Sequence, residues 1–220
     1  RRRCLQWGTE WCSVIARSVL HASTWSGCYR APGPTLAPLA LWAPASPTSR
    51  STGSDHMPDF ATPDLSDAHP EAHHLGFQFR QFGKRASFAG PVSTVACHTD
   101  NSRVAEAVTE AGGGRVLLVD GQGALHRSLL GDRLAQLAAD NGWSGVVVIG
   151  AVRDVEVIDG IDIGVQALGV CPVKTDKRGV GDRDVPLLLG GVAVQPGDWL
   201  YADRNGVLIS SERLDRWRSV

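Results

Sequence analysis

The sequence lacks a long hydrophobic run and an excess of basic residues, and each absence argues against a class of protein. No stretch approaches the roughly 18 consecutive apolar residues that a membrane-spanning helix needs, so we expect a soluble protein without membrane association. The formal net charge is −1 over 220 residues, and no basic stripe is present, so we expect no direct binding of nucleic acid.

Cysteine is also scarce, and its spacing argues against the common zinc and redox motifs. The chain contains five cysteines and no CxxC pair. Cys97 and Cys171 lie far apart, and no histidine stands at metal-ligand spacing from either. This pattern predicts two buried free thiols in a protein of the reducing cytoplasm.

Methionine occurs once, at Met57, and the composition changes there. Residues 1–56 contain six Arg, no Lys and two acidic residues, whereas residues 57–220 contain 16 basic and 21 acidic residues. The first segment holds four of the seven Trp and has no helical or strand period. We interpret residues 1–56 as a disordered extension and predict that residues 57–220 form the domain. An Arg-rich, transit-like leader is the alternative for the first segment.

Residues 57–220 alternate between strand and helix patterns. β-branched and apolar runs predict strands at residues 86–99, 115–123, 144–152 and 161–170, and a β-meander at 185–210. Helices are predicted from Asn101 or Ser102, from the spacing of Leu130, Leu134 and Leu137, in a short N-terminal segment, and at residues 211–220. The alternation predicts a single α/β domain with a β-rich C-terminal part.

Two motifs resemble ligand sites but are incomplete. Gly121-x-Gly123 follows a strand, as dinucleotide and S-adenosylmethionine loops do, but the third glycine of the dinucleotide pattern is His126, so a tight turn is favoured. His69 and His73 are spaced i, i+4 without a third ligand, which is more typical of solvated surface than of a metal site.

The stronger candidate site joins a helix start to a strand end. Gly131 and Asp132 stand at the start of the predicted helix, where free backbone N–H groups favour an anion such as a substrate carboxylate. Twenty residues later, Arg153 and Asp154 follow an apolar strand, the usual place for ligands in α/β sheets. Arg153 could bind a carboxylate and Asp154 could ligate Mg²⁺ or Mn²⁺, whereas a structural ion pair is the equally weighted alternative.

The same interval recurs from Asp162 to Arg183-Asp184, so the spacing by itself carries little weight. Asp162 begins a strand-like run, and residues 177–184 read as a polar loop. The second set therefore has neither the helix start nor the buried strand tip. We interpret it as a surface loop whose basic side could line an opening or a subunit contact.

Five segments together resemble the regulator of ribonuclease E activity A and the class II 4-hydroxy-4-methyl-2-oxoglutarate aldolases related to it. They are FAGPVSTV, the stretch from Gly114 to Val155, DIGVQALG, KRGVGDRDVP and PGDWLYADRNGVLI. The resemblance runs in order through nearly all of residues 57–220. It implies a compact α/β sandwich of the swivelling β/α/β type, assembled as a homotrimer or a pair of trimers.

The resemblance also implies roles for the candidate residues. Aldolase members carry an acidic residue that is followed, after a spacing of twenty residues, by an Arg-Asp pair. Asp132 and Arg153-Asp154 match this motif. Gly131, Asp132, Arg133 and Leu134 would form the substrate loop. Arg153 would bind substrate and stabilise an enolate, Asp154 would hold Mg²⁺ or Mn²⁺, and Asp132 would act through water as acid and base.

Cleavage of 4-hydroxy-4-methyl-2-oxoglutarate to two pyruvates, with oxaloacetate decarboxylation as a side activity, is the reaction that the resemblance implies. Aldolase relatives can add an acid from a neighbouring subunit, for which Asp203 and Glu212 are both open. The alternative is a non-catalytic regulator that binds a ribonuclease partner. A menaquinone methyltransferase, a label that similar proteins have received, is disfavoured by the incomplete glycine loop.

Overall fold

The computed structural model describes residues 60–214. The helices are α1 (Thr62–Ala68), α2 (Ser102–Val108), α3 (Asp132–Asp140) and α4 (Val155–Ile158). The strands are β1 (His73–His74), β2 (Arg80–Phe82), β3 (Phe88–Ala96), β4 (Val116–Leu130), β5 (Gly145–Val152), β6 (Gly164–Val170), β7 (Asp182–Arg183), β8 (Leu187–Leu189), β9 (Val192–Val194), β10 (Trp199–Asp203) and β11 (Gly206–Ser210).

The main sheet is parallel at its centre and antiparallel at its edges. Strands β3, β4, β5 and β6 run parallel in that order, joined by connections that contain α2, α3 and α4. Strands β10, β11 and β1 extend the β3 side in antiparallel fashion, and β2 closes the β6 side. Strands β8 and β9 form a separate hairpin.

The two faces of the parallel strands are buried in different ways because side chains alternate along a strand. On β4, Leu117 and Val119 pack against α2 and α3, whereas Val116 and Leu118 pack against the β-rich part formed by β8 to β11. Burial on both faces explains why these strands read as continuous apolar runs. The predicted α/β sandwich with a β-rich C-terminal part is confirmed.

Helix α1 lies against the outer side of the C-terminal hairpin. Leu65 packs with Tyr201 and Leu208 in a third cluster. The start of the helix is bound by a carboxylate from β10, since Thr62 donates to Asp203 through both its backbone N and its Oγ1, each at 2.7 Å. The first and last parts of the described chain are therefore joined by a buried polar contact.

Strand β4 is longer than predicted, and the prediction that it ends in a turn at Gly121–Gly123 is wrong. Gln122 and Gly123 do have positive φ values of 53° and 72°, but the chain resumes pairing with β5 after register shifts and continues to Leu130. Leu130 thus belongs to the strand, and the next helix begins at Asp132. Sequence periodicity gave no sign that pairing would resume.

The N-terminal prediction is correct for the helix and partly wrong for its histidines. Helix α1 spans Thr62–Ala68. His69 is buried and bonded to Glu71 at 3.1 Å instead of being solvated, whereas His73 is exposed as expected. Residues 1–59 and 215–220, which include the predicted extension and most of the predicted C-terminal helix, lie outside the described residues.

Cys97 and Cys171 are both buried and free, as the sequence predicts. Burial, with smaller effects from Asp120 and Asp100, raises the pKa of the Cys97 thiol from 9.0 to about 12, so this thiol stays protonated and unreactive near neutrality.

Over residues 60–214, no helix is long and apolar enough to cross a membrane.

Candidate functional site

The carboxyl ends of β4 and β5 place the predicted site residues together. Arg153 leaves β5 with its backbone N donating to the carbonyl of Leu130 at the end of β4, at 3.0 Å. Gly131 follows Leu130 and is the N-cap residue of α3, with an extended backbone. The helix start and the Arg-Asp pair, twenty residues apart in sequence, are therefore neighbours in space.

Gly131 lies so close to the pair that a side chain would disturb it. A Cβ at this position would lie 3.0 Å from Asp154 Oδ2 and 3.2 Å from Arg153 Nε. The backbone φ of −133° suits any residue, so the close approach is the reason for glycine here. The absence of a side chain leaves the backbone of the α3 start directly against the charged pair.

Asp154 has a left-handed backbone, with φ 55° and ψ 38°, immediately after the strand. This conformation is uncommon outside glycine, although Asp and Asn tolerate it best, and such residues concentrate at functional sites. Asp154 Oδ2 lies 3.0 Å from Arg153 Nε, and the two side chains remain 38% and 35% exposed. The pair is therefore accessible to a ligand, unlike an ion pair enclosed in a core.

A cavity of about 740 Å³ opens beside these residues, a size typical of small-molecule sites. Its lining comes from the end of β4, from α3 and α4, and from the segment that follows β6. The residues are Asn101, Ser128, Gly131, Asp132, Arg133, Leu134, Gln136, Leu137, Asp140, Arg153, Val157, Ile161, Lys174, Thr175 and Lys177. All four residues of the predicted substrate loop line it, whereas Asp154 borders it through Arg153.

The donor set suits a hard divalent ion bound mainly by water and substrate. Within residues 60–214, no three His, Cys, Asp or Glu side chains are grouped to hold a metal by themselves. Mg²⁺ is commonly held by only one or two carboxylates and keeps several waters, and Asp154 with the nearby Asp132 offers that number. The chain could therefore contribute Asp154 to such an ion, but not a complete protein cage.

The members of the second acid and Arg-Asp set have separate partners. Asp162 pairs with Arg85 at 3.0 Å, and Arg183 pairs with Glu110 at 2.8 Å. The prediction of a loop is corrected at one point, since Asp182 and Arg183 form strand β7 against β3. Asp184 also has a left-handed backbone, with φ 52°, but it does not line the cavity.

The two glycines within β4 do not form a nucleotide-binding loop. A Cβ on Gly121 would clash with the Leu129 side chain and lie 2.8 Å from the carbonyl oxygen of Ile149, so packing within the sheet accounts for this glycine. Because the strand also continues past Gly123, no helix start faces the glycines.

Of the two acids considered for donation to a neighbouring subunit, Asp203 is engaged within its own chain. It is buried and accepts hydrogen bonds from Thr62 and Asn205. Burial acts to raise its pKa, but these bonds outweigh burial and lower it. Glu212 is exposed beyond the last strand, so it is the one of the two acids that a neighbour could reach.

The cavity also includes residues that the sequence argument missed. Asn101, Lys174 and Thr175 line it, although they are distant in sequence from Asp132 and Arg153. Lys177 lines it too, and it belongs to the loop whose basic side the sequence predicted could line an opening. The sequence held a signal for these residues. Residues 171–177 follow the parallel strand β6, so they leave the sheet at the same edge as Arg153 does after β5.

Comparison with known proteins places the chain in one family. The family model described as RraA-like, Aldolase/RraA, matches residues 62–209. A protein of Ectopseudomonas mendocina (strain ymp), provisionally named 4-hydroxy-4-methyl-2-oxoglutarate aldolase, is 54% identical over 156 residues, 70% of this chain and 96% of that protein. A Pseudomonas aeruginosa (strain LESB58) protein of the same name is 52% identical over 156 residues, again 70% of this chain and 96% of its own length.

Two solved structures share the fold and carry different functional descriptions. The RNA-processing inhibitor RraA from Thermus thermophilis has a TM-score of 0.70 and 46% identity, covering 73% of this chain and 98% of its own. A Geobacillus kaustophilus HTA426 structure described as S-adenosylmethionine:2-dimethylmenaquinone methyltransferase has a TM-score of 0.69 and 43% identity, covering 70% and 97%. The match to the family model and these relatives show that the chain belongs to the RraA-like, Aldolase/RraA family.

Proposed function

We propose that this protein is a divalent-metal-dependent lyase that cleaves 4-hydroxy-4-methyl-2-oxoglutarate to two pyruvates and decarboxylates oxaloacetate as a side activity. The observation that carries the proposal is the accessible Arg153–Asp154 pair, packed against the start of α3 at the mouth of a substrate-sized cavity. The names of relatives at about 50% identity support the same reaction.

Substrate recognition follows from the groups at the start of α3. The first backbone N–H groups of a helix have no partner within it, and here they begin at Asp132 and Arg133 beside the cavity. They suit the carboxylate of a 2-oxo acid, while the Arg153 guanidinium suits its 2-oxo oxygen. Arg153 would then stabilise the negative charge that develops on that oxygen as the carbon–carbon bond breaks.

Asp154 is the residue that would hold the divalent ion, and Asp132, which lines the cavity beside Arg153, would orient a water there. When bound, such an ion supplies Lewis-acid stabilisation of the 2-oxo acid. Asp154 has a left-handed backbone directly after the strand, and its ion pair with Arg153 orients its carboxylate.

Asp132 is the acid–base candidate. It is partly exposed at the cavity, in the first turn of α3, where its charge is favoured by the helix dipole. Acting through water, it would accept the proton of the C4 hydroxyl as the C3–C4 bond breaks, which releases one pyruvate. The bonding electrons pass to the 2-oxo group, and return of the proton to C3 gives the second pyruvate.

The test is pyruvate release from both substrates by the full chain, with Mg²⁺ or with EDTA. Asp154→Asn is the informative variant because Asn tolerates the left-handed backbone and removes only the charge. We expect release that depends on the ion, and a fall in kcat/KM of at least about 100-fold in the variant.

Asp184→Asn is the matched control, since Asp184 also follows an arginine and has a left-handed backbone, but its Arg183 pairs with Glu110 and, unlike Arg153, does not line the cavity. It should retain wild-type activity. Release at the rate of Mg²⁺ alone by wild type and Asp154→Asn alike would refute the lyase proposal.

A second candidate function is regulation of a ribonuclease without catalysis. The likeness to an RNA-processing inhibitor at 46% identity favours it, and it requires no metal. Co-purification of purified ribonuclease E with this chain, unchanged by Asp154→Asn and by EDTA, would support this function. It becomes the leading proposal if no lyase activity is found.

We further propose that the protein works as a homotrimer in the cytoplasm. Leu125 in the second half of β4, Val170 at the end of β6 and Val173 just after it are large apolar side chains left exposed, and a neighbouring subunit could cover them. The free thiols Cys97 and Cys171 suit a reducing compartment. Light scattering coupled to gel filtration tests the mass, and a monomer at micromolar concentration would contradict the trimer.

A further inference from the structure

The segment that follows β6 is held against the cavity at three points. Ser128 on β4 pairs with it, its N–H donating to the carbonyl of Val173 at 2.8 Å. Thr175 donates its hydroxyl to Asn101 Oδ1 at 2.7 Å, and Asn101 in turn donates to the carbonyl of Leu129 at 3.2 Å. The segment is therefore tied to the same strand end that leads into Gly131.

The third point is the buried carboxylate of Asp100. It accepts from the backbone N–H groups of Arg178 and Val180, at 2.7 and 3.3 Å, and from Ser102 at 2.8 Å. Arg103 adds bonds to the carbonyls of Gly179 and Gly181, each at 3.0 Å. A segment with this many backbone anchors presents its side chains in defined positions.

Two lysines of this segment face the cavity without a visible task in the fold. Lys174 and Lys177 line it and are exposed, and no carboxylate of residues 60–214 lies within ion-pair distance of either ammonium group. By contrast, the cavity's Arg153 is paired with Asp154, and the lining Asp140 is bonded to Gln136. The lysines are thus unpaired positive charges of the cavity on the side of this segment, opposite the start of α3 where Arg133 supplies another.

We propose that Lys174 and Lys177 bind the second carboxylate of the substrate, so that the site selects 2-oxo dicarboxylates over 2-oxo monocarboxylates. This inference rests on the proposed function, which assigns the first carboxylate and the 2-oxo group to the α3 start and Arg153. Lysine suits this role because its ammonium is a flexible point charge that adapts to carboxylates at different chain lengths. Asp100 and Asn101 are positioning residues that act through the segment.

The experiment is calorimetric titration of the full chain with pyruvate and with 2-oxoglutarate, with Mg²⁺ present at constant ionic strength. These probes share the 2-oxo acid end and differ in the distal carboxylate. We expect wild type to bind 2-oxoglutarate about tenfold more tightly than pyruvate, as two partly exposed ion pairs would provide. Lys174→Gln/Lys177→Gln should lose that preference and keep its pyruvate affinity, and each single variant should lose part of it.

Arg178→Gln is the matched control, being an exposed basic residue of the same segment that does not line the cavity. It should keep the full preference. Equal affinity of wild type for the two probes, or an undiminished preference in the double variant, would overturn the inference while leaving the lyase proposal intact. Failure of both probes to bind wild type would overturn the two together, and Arg153→Ala should weaken both probes alike.

Discussion

At the scale of single residues, the candidate site depends on backbone geometry as much as on charge. Gly131 allows the helix start to approach Arg153 and Asp154, and the left-handed backbone of Asp154 sets where its carboxylate lies. Neither feature is a chemical group that acts on a substrate. Each can nevertheless be tested apart from the charged side chains.

Replacing Gly131 by alanine should reduce activity without unfolding the protein. The new Cβ would lie 3.0 Å from Asp154 Oδ2, closer than nearly all real Cβ contacts, so the Arg153–Asp154 pair must move by a few tenths of an ångström. Displacements of this kind at a reacting centre cost about 10- to 100-fold. The measurement is kcat/KM for pyruvate release, together with the thermal midpoint.

Gly76→Ala is the control for the general cost of replacing a glycine, because nothing lies within 4 Å of its added Cβ. It should leave kcat/KM unchanged. An active Gly131→Ala protein would show that the pair tolerates displacement and that the close approach is unimportant.

Substitutions of Asp154 should separate backbone strain from lost charge. Alanine disfavours the left-handed backbone that Asp154 has at φ 55°, so Asp154→Ala should lower the free energy of unfolding by about 1 kcal/mol. Asparagine tolerates this backbone, so Asp154→Asn should lower it little. Both variants should lose activity. Urea denaturation checks the difference, and equal stability of the two variants would contradict a backbone effect.

The sequence predicted the identity of these residues but not their geometry. Asp132, Arg153 and Asp154 were identified from a helix start and a strand end, features that local patterning carries. The contact of Gly131 with the pair depends on the register of β4 beside β5, which no local pattern specifies. The buried state of His69 was missed for the same reason, because only tertiary packing encloses it.

At the scale of elements, the segment after β6 is ordered by one buried carboxylate. Asp100→Asn should release this segment. The amide has only one acceptor oxygen, whereas the Asp100 carboxylate uses both of its oxygens to accept hydrogen bonds from backbone N–H groups. We expect tryptic cleavage after Lys177 or Arg178 to accelerate about tenfold or more, as a loss of roughly 1.5 kcal/mol in local stability would give.

Asp176→Asn is the matched control, an exposed acid of the same segment that pairs with Arg127 at 3.7 Å. Its tryptic pattern should match that of the wild type. If trypsin cuts elsewhere in the domain earlier than it cuts after Lys177 or Arg178, the variant has unfolded globally and has not merely released the segment.

The stability that Asp100 contributes should depend on pH in a defined direction. Burial alone would raise its pKa, but the hydrogen bonds from Ser102, Arg178 and Val180 outweigh burial and lower the pKa from 3.8 to about 2. Because the unfolded state binds the proton more readily, the contribution is complete above about pH 4 and is lost as pH falls through about 2. The difference in unfolding free energy between wild type and Asp100→Asn should therefore be constant above about pH 4 and shrink towards pH 2.

The elements themselves were mostly predictable, and the errors share a cause. Strands β3, β5 and β6 and helices α2 and α3 match their predicted positions to within a few residues. The predicted turn in β4 exists locally, but whether a strand resumes after a turn depends on the partner strand, here β5. The four-residue helix α4 was missed because one turn leaves no periodic pattern.

At the scale of the whole molecule, the cavity is assembled from parts of the chain that are brought together only by the parallel sheet. Its lining spans Asn101 to Lys177 and includes contributions from the connections that follow β3, β4, β5 and β6 and from the end of β4 itself. The sequence could predict which edge of the sheet would hold a site, since parallel strands end together. It predicted that the basic side of residues 177–184 could line an opening, but not that Lys174 and Thr175 would join the lining, because that requires the anchoring contacts of Asp100 and Asn101.

The proposed domain of residues 57–220 should function without the preceding segment. Removal of residues 1–56 is expected to leave pyruvate release unchanged and to shift the thermal midpoint by no more than about 2 °C, or less than about 1 kcal/mol. Parallel melts of the full and shortened chains check this. A shortened chain that is unstable or inactive would refute the domain prediction.

The pairing of β3 with β10, and of Thr62 with Asp203, has a consequence for how the chain acquires its structure during synthesis. Both contacts join residues more than a hundred positions apart, so the sheet edge at β3 stays open until the last hairpin has left the ribosome. Until then, β3 presents an unpaired apolar edge of the kind that recruits strands from other chains. Premature termination before Trp199 should therefore yield aggregates rather than a shortened but folded protein.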